Sequence, residues 1–262
     1  MHSFDQLAVP EKSVGIHWFG QSSFGLKHPT GEIVLVDPYF PHGRPAEKYI
    51  RPEPPLNEAE LRTDFVLLTH DHSDHTCVES IKRIHAANRA VRIIGPHESA
   101  ERLAAEGIPG DQITIVTAGE AVTAGPLHIH TVWAKPPSGI PEDDIAEPDV
   151  QHLGFVVEVG DVRVYISGDP VNTFANHESL LQPIRDLKPD IGLLTSHPTE
   201  GEFPFFEGSA KTAVELGLKA AVPAHYDCFA KRTYDPKKWA SHLPATGPAP
   251  LIIPYNQAVV YP

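Results

Sequence analysis

Two cysteines, Cys77 and Cys228, are all that 262 residues contain. So few exclude a disulfide framework and fit a reducing compartment. No apolar run approaches the ~20 residues that a membrane-spanning helix needs. Met1 to Lys12 lacks the basic stretch and apolar core of a secretory leader, so a cytoplasmic location is expected. Positive charge is scarce: 21 Lys and Arg against 34 Asp and Glu leave a formal charge of −13. Lys82-Arg83, Lys231-Arg232 and Lys237-Lys238 are isolated pairs and form no basic block. The long-range field therefore repels nucleic acid. No Gly-x-Ser-x-Gly elbow offers a serine nucleophile. The expected partner is a small-molecule substrate, with neither nucleic acid nor membrane, and homo-oligomerisation stays open.

What is present reads as a globular chain, because 41% apolar residues against 21% charged is enough to build a core. A single domain over residues 1–262 is expected. Val14–Phe19, Ser23–Lys27 and Glu32–Val36 read as a β meander, with Gly-Gln-Ser as its first turn. A Pro-rich loop spans Pro38–Pro55, because its prolines forbid a regular ladder or helix. Helical stripes at Val78–Ala87 and Ser99–Glu106 flank the strand Val91–Ile94. Strands are predicted near Ile113–Val116, Ala121–Val122 and Leu127–Trp133, then a second Pro- and acid-rich loop, Lys135–Val150. Phe155–Val159 and Val162–Ile166 form a hairpin around Gly160-Asp161. Helices near Glu178–Leu187 and Ser209–Leu216 alternate with strands Ile191–Thr195 and Ala220–Val222. Leu251–Ile253 and Ala258–Tyr261 are the last strand-like pieces. Both halves run from strands to strand–helix alternation, without an exact repeat.

The chemistry concentrates in His70-Asp71-His72-Ser73-Asp74-His75. It follows the apolar run Phe65–Thr69, so it stands where a buried strand becomes a loop. Imidazole and carboxylate are ligands for zinc, and also for manganese or iron. A solvated polar turn has no reason to gather these ligand types at this spacing. Three further candidates lie near strand ends. Asp169 follows Ser167-Gly168, where glycine lets the chain turn sharply. His225 follows Ala220–Ala224, and His152 opens the strand that leads to Asp169. Asp169, with two oxygens, can bridge two cations.

These strings resemble the metallo-β-lactamase superfamily. Within it, the strings look more like its L-ascorbate-6-phosphate lactonase-like branch. Thr69–His75, Ile94-Gly95-Pro96, Tyr165–Asp169 and Val222–Asp227 carry it, with Trp18-Phe19-Gly20 and Val36-Asp37-Pro38. The likeness runs from about Val14 to about Trp239. It implies an α/β fold, a four-layer αββα sandwich, with metals at one edge of the two sheets. It implies that His70 and His72 bind one ion, Asp74 and His75 the other, that Asp169 bridges, and that His225 joins the second site. Many members place a further histidine before the hairpin, where His152 stands without the usual Gly-His-Thr-x-Gly surroundings. Other members take that ligand from an earlier strand end, where this chain has His128 and His130.

Two divalent ions, zinc or manganese with iron as an alternative, suit hydrolysis by a metal-bound hydroxide. Asp74 or Asp169 would orient that nucleophile and take up its proton. The branch suggests a small lactone or ester, phosphorylated or not. A phosphodiesterase of the same fold, or a non-hydrolytic metal-binding or redox protein, are the alternatives. His197, at the end of a strand, and Lys135 are candidate substrate contacts. Arg163, Lys231 and Arg232 are further cations that could meet an anion.

Overall fold

The computed structural model describes residues 1–262. Fourteen strands form two seven-stranded sheets. The first contains β1 (Val14–Gly20), β2 (Ser23–Lys27), β3 (Ile33–Val36), β4 (Phe65–Leu67), β5 (Arg92–Gly95), β6 (Ile113–Ile115) and the last strand, β14 (Gln257–Tyr261). Their order is β14-β1-β2-β3-β4-β5-β6. The second contains β7 (Ala121–Ala124), β8 (Leu127–Lys135), β9 (His152–Val159), β10 (Val162–Ile166), β11 (Ile191–Thr195), β12 (Ala220–Ala224) and β13 (Ala249–Pro250). Their order is β13-β12-β11-β10-β9-β8-β7.

Each sheet joins an antiparallel part to a parallel part. The strands β3 to β6 run parallel, as do β10 to β13. Parallel strands covered on both faces read as continuous apolar runs. Accordingly β3, β11 and β12 are buried at every position.

Three apolar clusters make four layers. Twenty-seven buried residues, among them Trp18, Leu67, Phe155 and Val222, fill the space between the sheets. Fifteen more, among them Ile81, Ile84 and Leu103, pack α2 (Val78–Ala87) and α3 (His97–Ala105) on the outside of the first sheet. Sixteen pack α4 (Glu178–Asp186), α5 (Phe206–Glu215) and α6 (Pro236–Ala240) outside the second. Each large aliphatic or aromatic side chain so buried contributes roughly 1.5–3 kcal/mol. The αββα sandwich expected from the sequence is the architecture found. A short helix, α1 (Ser3–Gln6), lies at the start.

One strand expectation needs correcting. Leu251–Ile253 is irregular, and the pairing falls instead on Ala249–Pro250, opposite Ala220 and Ala221. One further bond follows, from the Leu251 N–H to the Ala221 carbonyl at 2.8 Å, and the ladder ends there. No helix is long and apolar enough to cross a membrane.

The antiparallel bridge Tyr49↔Phe229 ties the Pro-rich loop to the segment after β12. Tyr39, Tyr49, Cys77 and Cys228 form a small buried cluster there. Both cysteines are free thiols. Burial pushes Cys228 up to about 11, so it keeps its proton at neutral pH.

Candidate metal centre

The loops after β3, β4, β10, β11 and β12 all leave the carboxyl ends of parallel strands and meet at one edge of the sandwich. Such edges are where open α/β sheets place their ligands. Seven side chains converge there in three overlapping groups: His70, His72 and His152; His70, His75 and Asp169; and Asp74, His75 and His225. Within each group the ligand atoms all lie within 4.8 Å of one another. These are the seven residues singled out from the sequence. His70 and His75 are each shared by two groups, and Asp169 lies between the outer ones.

Asp169 Oδ2 is 3.3 Å from His75 Nε2, 3.5 Å from His225 Nε2 and 3.7 Å from His70 Nε2. The turn before it needs glycine. Gly168 has φ +56°, and a Cβ there would meet the Leu153 carbonyl oxygen at 2.4 Å. His152 enters through an irregularity in the β8–β9 ladder between Trp133 and Lys135, which sets Lys135 opposite His152. The His70 and His152 rings stack with centroids 4.2 Å apart.

His75 is oriented from behind. Its Nδ1–H donates to Asp37 Oδ2 at 2.8 Å, leaving Nε2 to face the cluster. Asp37 is held in turn by the Thr69 N–H on Oδ1 at 2.8 Å and the Thr69 hydroxyl on Oδ2 at 2.7 Å. This carboxylate–imidazole pair is the arrangement that fixes a metal-binding histidine tautomer.

Charge at the site follows from burial and neighbours. Burial opposes a proton on His75, but the Asp169 and Asp37 carboxylates outweigh it and raise its pKa well above the histidine range. Burial lowers His70, His225 and His152, the last to about 3, so these imidazoles are neutral with free lone pairs. Burial also opposes charge on Asp169, yet His225, His75 and His70 hold its pKa well below the carboxylate range.

Orphaned polar atoms test whether metal ions fit here. His70 Nε2, His75 Nε2, the His152 ring nitrogens, of which one can take an ion, and Asp169 Oδ1 are buried without hydrogen-bond partners. Buried polar groups are rarely left so. A divalent cation is the one partner that satisfies imidazole lone pairs and carboxylate oxygens together. The donor set therefore fits.

Four neighbours escaped the sequence reading in their roles here. Asp37 reads as a strand terminator. Gln21 reads as a turn residue, yet its Nε2 donates to Asp74 Oδ2 at 2.8 Å. Asp149 meets His72 Nε2 at 3.0 Å from the second Pro-rich loop. Phe203 lies 4.6 Å from the His225 ring, measured between centroids. Each partnership joins residues far apart in the chain, so no local pattern announces it.

The remaining candidates lie at the rim or beyond it. Lys135 pairs with Glu202 at 3.9 Å and lines a cavity of about 320 Å³ with His72 and Asp149. His197 Nδ1 accepts the Thr199 and Glu200 N–H groups, while its Nε2 is buried and free. His130 turns to Glu158 at 3.2 Å, and His128 to Thr123. Arg163 lies at the opposite end of β10, bonded to the Leu187 carbonyl.

Residues 32–226 match the family model of the β-lactamase superfamily domain. The chain belongs to the metallo-β-lactamase superfamily. Among its superfamily relatives is a UPF0173 metal-dependent hydrolase of Thermofilum pendens, 30% identical over 217 residues, covering 81% of this chain and 82% of that protein. A UPF0173 metal-dependent hydrolase of Anaeromyxobacter sp. is 28% identical over 224 residues, 82% of this chain and 75% of its own. The solved structure of Igni18, a metallo hydrolase from Ignicoccus hospitalis, superposes with a TM-score of 0.71 at 22% identity. That superposition covers 96% of this chain and 99% of Igni18, and it shows the shared superfamily fold.

Proposed function

We propose that this protein is a metal-dependent hydrolase that cleaves a small anionic ester or lactone with two divalent ions. The observation that carries the reading is Asp169, buried at the junction of two ligand groups that share no residue: His70/His72/His152 and Asp74/His75/His225. His70, His72 and His152 would hold one ion, Asp74, His75 and His225 the other, with Asp169 between them. Zinc or manganese suits the donors, and iron is the alternative.

Bound there, divalent ions supply Lewis acidity, which acidifies water and polarises the oxygen of the bond under attack. The chain supplies the rest. Asp37 keeps His75 in one tautomer. Asp74 faces the open cleft and is the carboxylate placed to orient a reacting water and take its proton. Lys135 at the rim and the buried His197 are candidate substrate contacts.

The cleft beside Asp74 holds about 540 Å³ and is lined by Tyr39, Lys48, Phe229, Lys231 and Arg232, together with Ser73, Glu47 and Glu200. That volume takes a small molecule. Arg232 is paired with Glu200 at 2.8 Å. Lys48 rests over the Tyr49 and Phe229 rings at 5.3 and 5.6 Å and pairs with no carboxylate. Free lysines at the mouth favour an anionic substrate, phosphorylated or carboxylated.

The test is turnover by metal-loaded protein on matched neutral and anionic lactones, esters and phosphodiesters. Small anionic esters or lactones should be preferred. In the Lys48→Ala/Lys231→Ala double variant, KM for the anionic member should rise about tenfold, the loss of roughly 1.4 kcal/mol of charge-assisted contact. KM for the neutral member should stay within twofold. Equal effects on both, or no turnover anywhere in the panel, would remove this reading.

A further inference from the structure

Gln21 sits in the turn between β1 and β2 and is almost fully buried, with 1% of its surface exposed. Its backbone is left-handed, φ +53°, and so is that of His225, φ +67°. Non-glycine residues held in that region are strained and persist where the surroundings fix them. Here the two residues fix each other. The Gln21 N–H donates to the Tyr226 carbonyl at 2.9 Å, the His225 N–H to the Gln21 carbonyl at 3.1 Å. The Trp18 indole N–H also donates to the Gln21 carbonyl, at 3.0 Å. The carboxamide is thereby delivered to the Asp74/His75/His225 group. Its Nε2 lies 2.8 Å from Asp74 Oδ2 and 3.0 Å from His225 Nε2, the two atoms that would take the second ion. Its Oε1 is buried with no partner.

An amide NH₂ suits this position only while Asp74 and His225 have lone pairs to spare. With an ion on those atoms, two N–H dipoles would point at a cation. The amide nitrogen cannot replace them as a ligand, because its lone pair is delocalised into the carbonyl. Rotation about the terminal side-chain bond exchanges the two ends of the group, and the orphaned oxygen then stands where the nitrogen does now. Amide oxygen is a hard donor, of the kind manganese and magnesium accept.

We infer that Gln21 is a further ligand of the second ion, through Oε1. The inference rests on the reading that Asp74, His75 and His225 hold that ion. It makes the second site a mixed oxygen and imidazole site, harder than the all-imidazole group at His70, His72 and His152. Gln151, the other glutamine beside a candidate ligand, turns its amide to Glu98 and Thr117 instead.

The test uses the full chain, stripped with chelator and reloaded with manganese. Calorimetric titration compares wild type with Gln21→Leu, which keeps the bulk and removes both polar ends. A crystal structure of the loaded wild type locates the carboxamide. Expected are a second ion bound at least tenfold more weakly in Gln21→Leu, and a Gln21 oxygen within about 2.0–2.6 Å of that ion. Unchanged affinity overturns the inference. So does a wild-type structure with the ion present and the amide turned away, which leaves a hydrogen-bonding role alone and spares the two-ion reading. A wild type that never takes an ion at Asp74, His75 and His225 overturns both. If Gln21→Leu fails to fold by circular dichroism, the wild-type structure decides.

Discussion

Asp169→Ala should lose turnover by roughly 10³-fold or more, about 4 kcal/mol of transition-state stabilisation, and release at least one ion. No other carboxylate lies within 4 Å of three imidazoles at once, at 3.3, 3.5 and 3.7 Å. Removing it takes a ligand from both proposed ions and lets their charges face each other unscreened. The fold should survive. Asp169 bonds only to imidazoles, and it caps no helix. His75 loses one of its two carboxylate partners and keeps Asp37, 2.8 Å from its Nδ1. Asp169 is one of the two carboxylates that raise the His75 pKa, so its loss also eases release of that proton. Circular dichroism and metal analysis at pH 8 would therefore report a folded, metal-poor protein. Asp169→Asn should do the same with a smaller loss of thermal stability. Normal metal content with normal turnover in either variant would contradict the bridging role.

Asp37→Asn should weaken the second ion by about 10–100-fold, the usual cost of losing a group that orients a ligand. The direction follows from geometry. The Thr69 N–H holds Oδ1 at 2.8 Å, so an asparagine keeps its oxygen there and turns its NH₂ toward His75. The His75 Nδ1 would then accept a hydrogen bond from that NH₂ where it now donates one at 2.8 Å. The imidazole tautomer reverses, and Nε2 carries hydrogen where the ion needs a lone pair. Nitrogen NMR of His75 would read the tautomer, and titration with manganese would read the affinity. Unaltered affinity would mean that Asp37 serves only the packing of the turn after β3.

Much of this site is legible in the sequence because its chemistry is compressed. Four ligand candidates fall within six residues after a buried strand, and the period of the flanking segments already separates strands from helices. Asp169 and His225 are legible for a related reason: each follows a strand, and glycine precedes the first. Gln21, Asp37 and Asp149 are not. Gln21 meets His225 across 204 positions, Asp37 meets His75 across 38, and Asp149 meets His72 across 77. Their roles come from strand order, which alternation and propensity do not encode. The last strand of the second sheet falls just before the apolar run that suggests it. Leu251–Ile253 has the composition of a strand, but within it only the Leu251 N–H bonds to β12, at the Ala221 carbonyl. Three of the eight left-handed non-glycine residues, Gln21, Asp37 and His225, lie at the site. None is glycine, so the sequence carries no sign of that strain.

The most direct test is a count of ions on the intact chain by native mass spectrometry after reloading with manganese or zinc. The same count on His152→Ala and His225→Ala assigns the ions to their sites. Two ions on the wild type and one on each variant are expected, because His152 belongs only to the first group and His225 only to the second. A wild type that never exceeds one ion per chain, or variants that both retain two, would contradict a two-ion centre built on these residues.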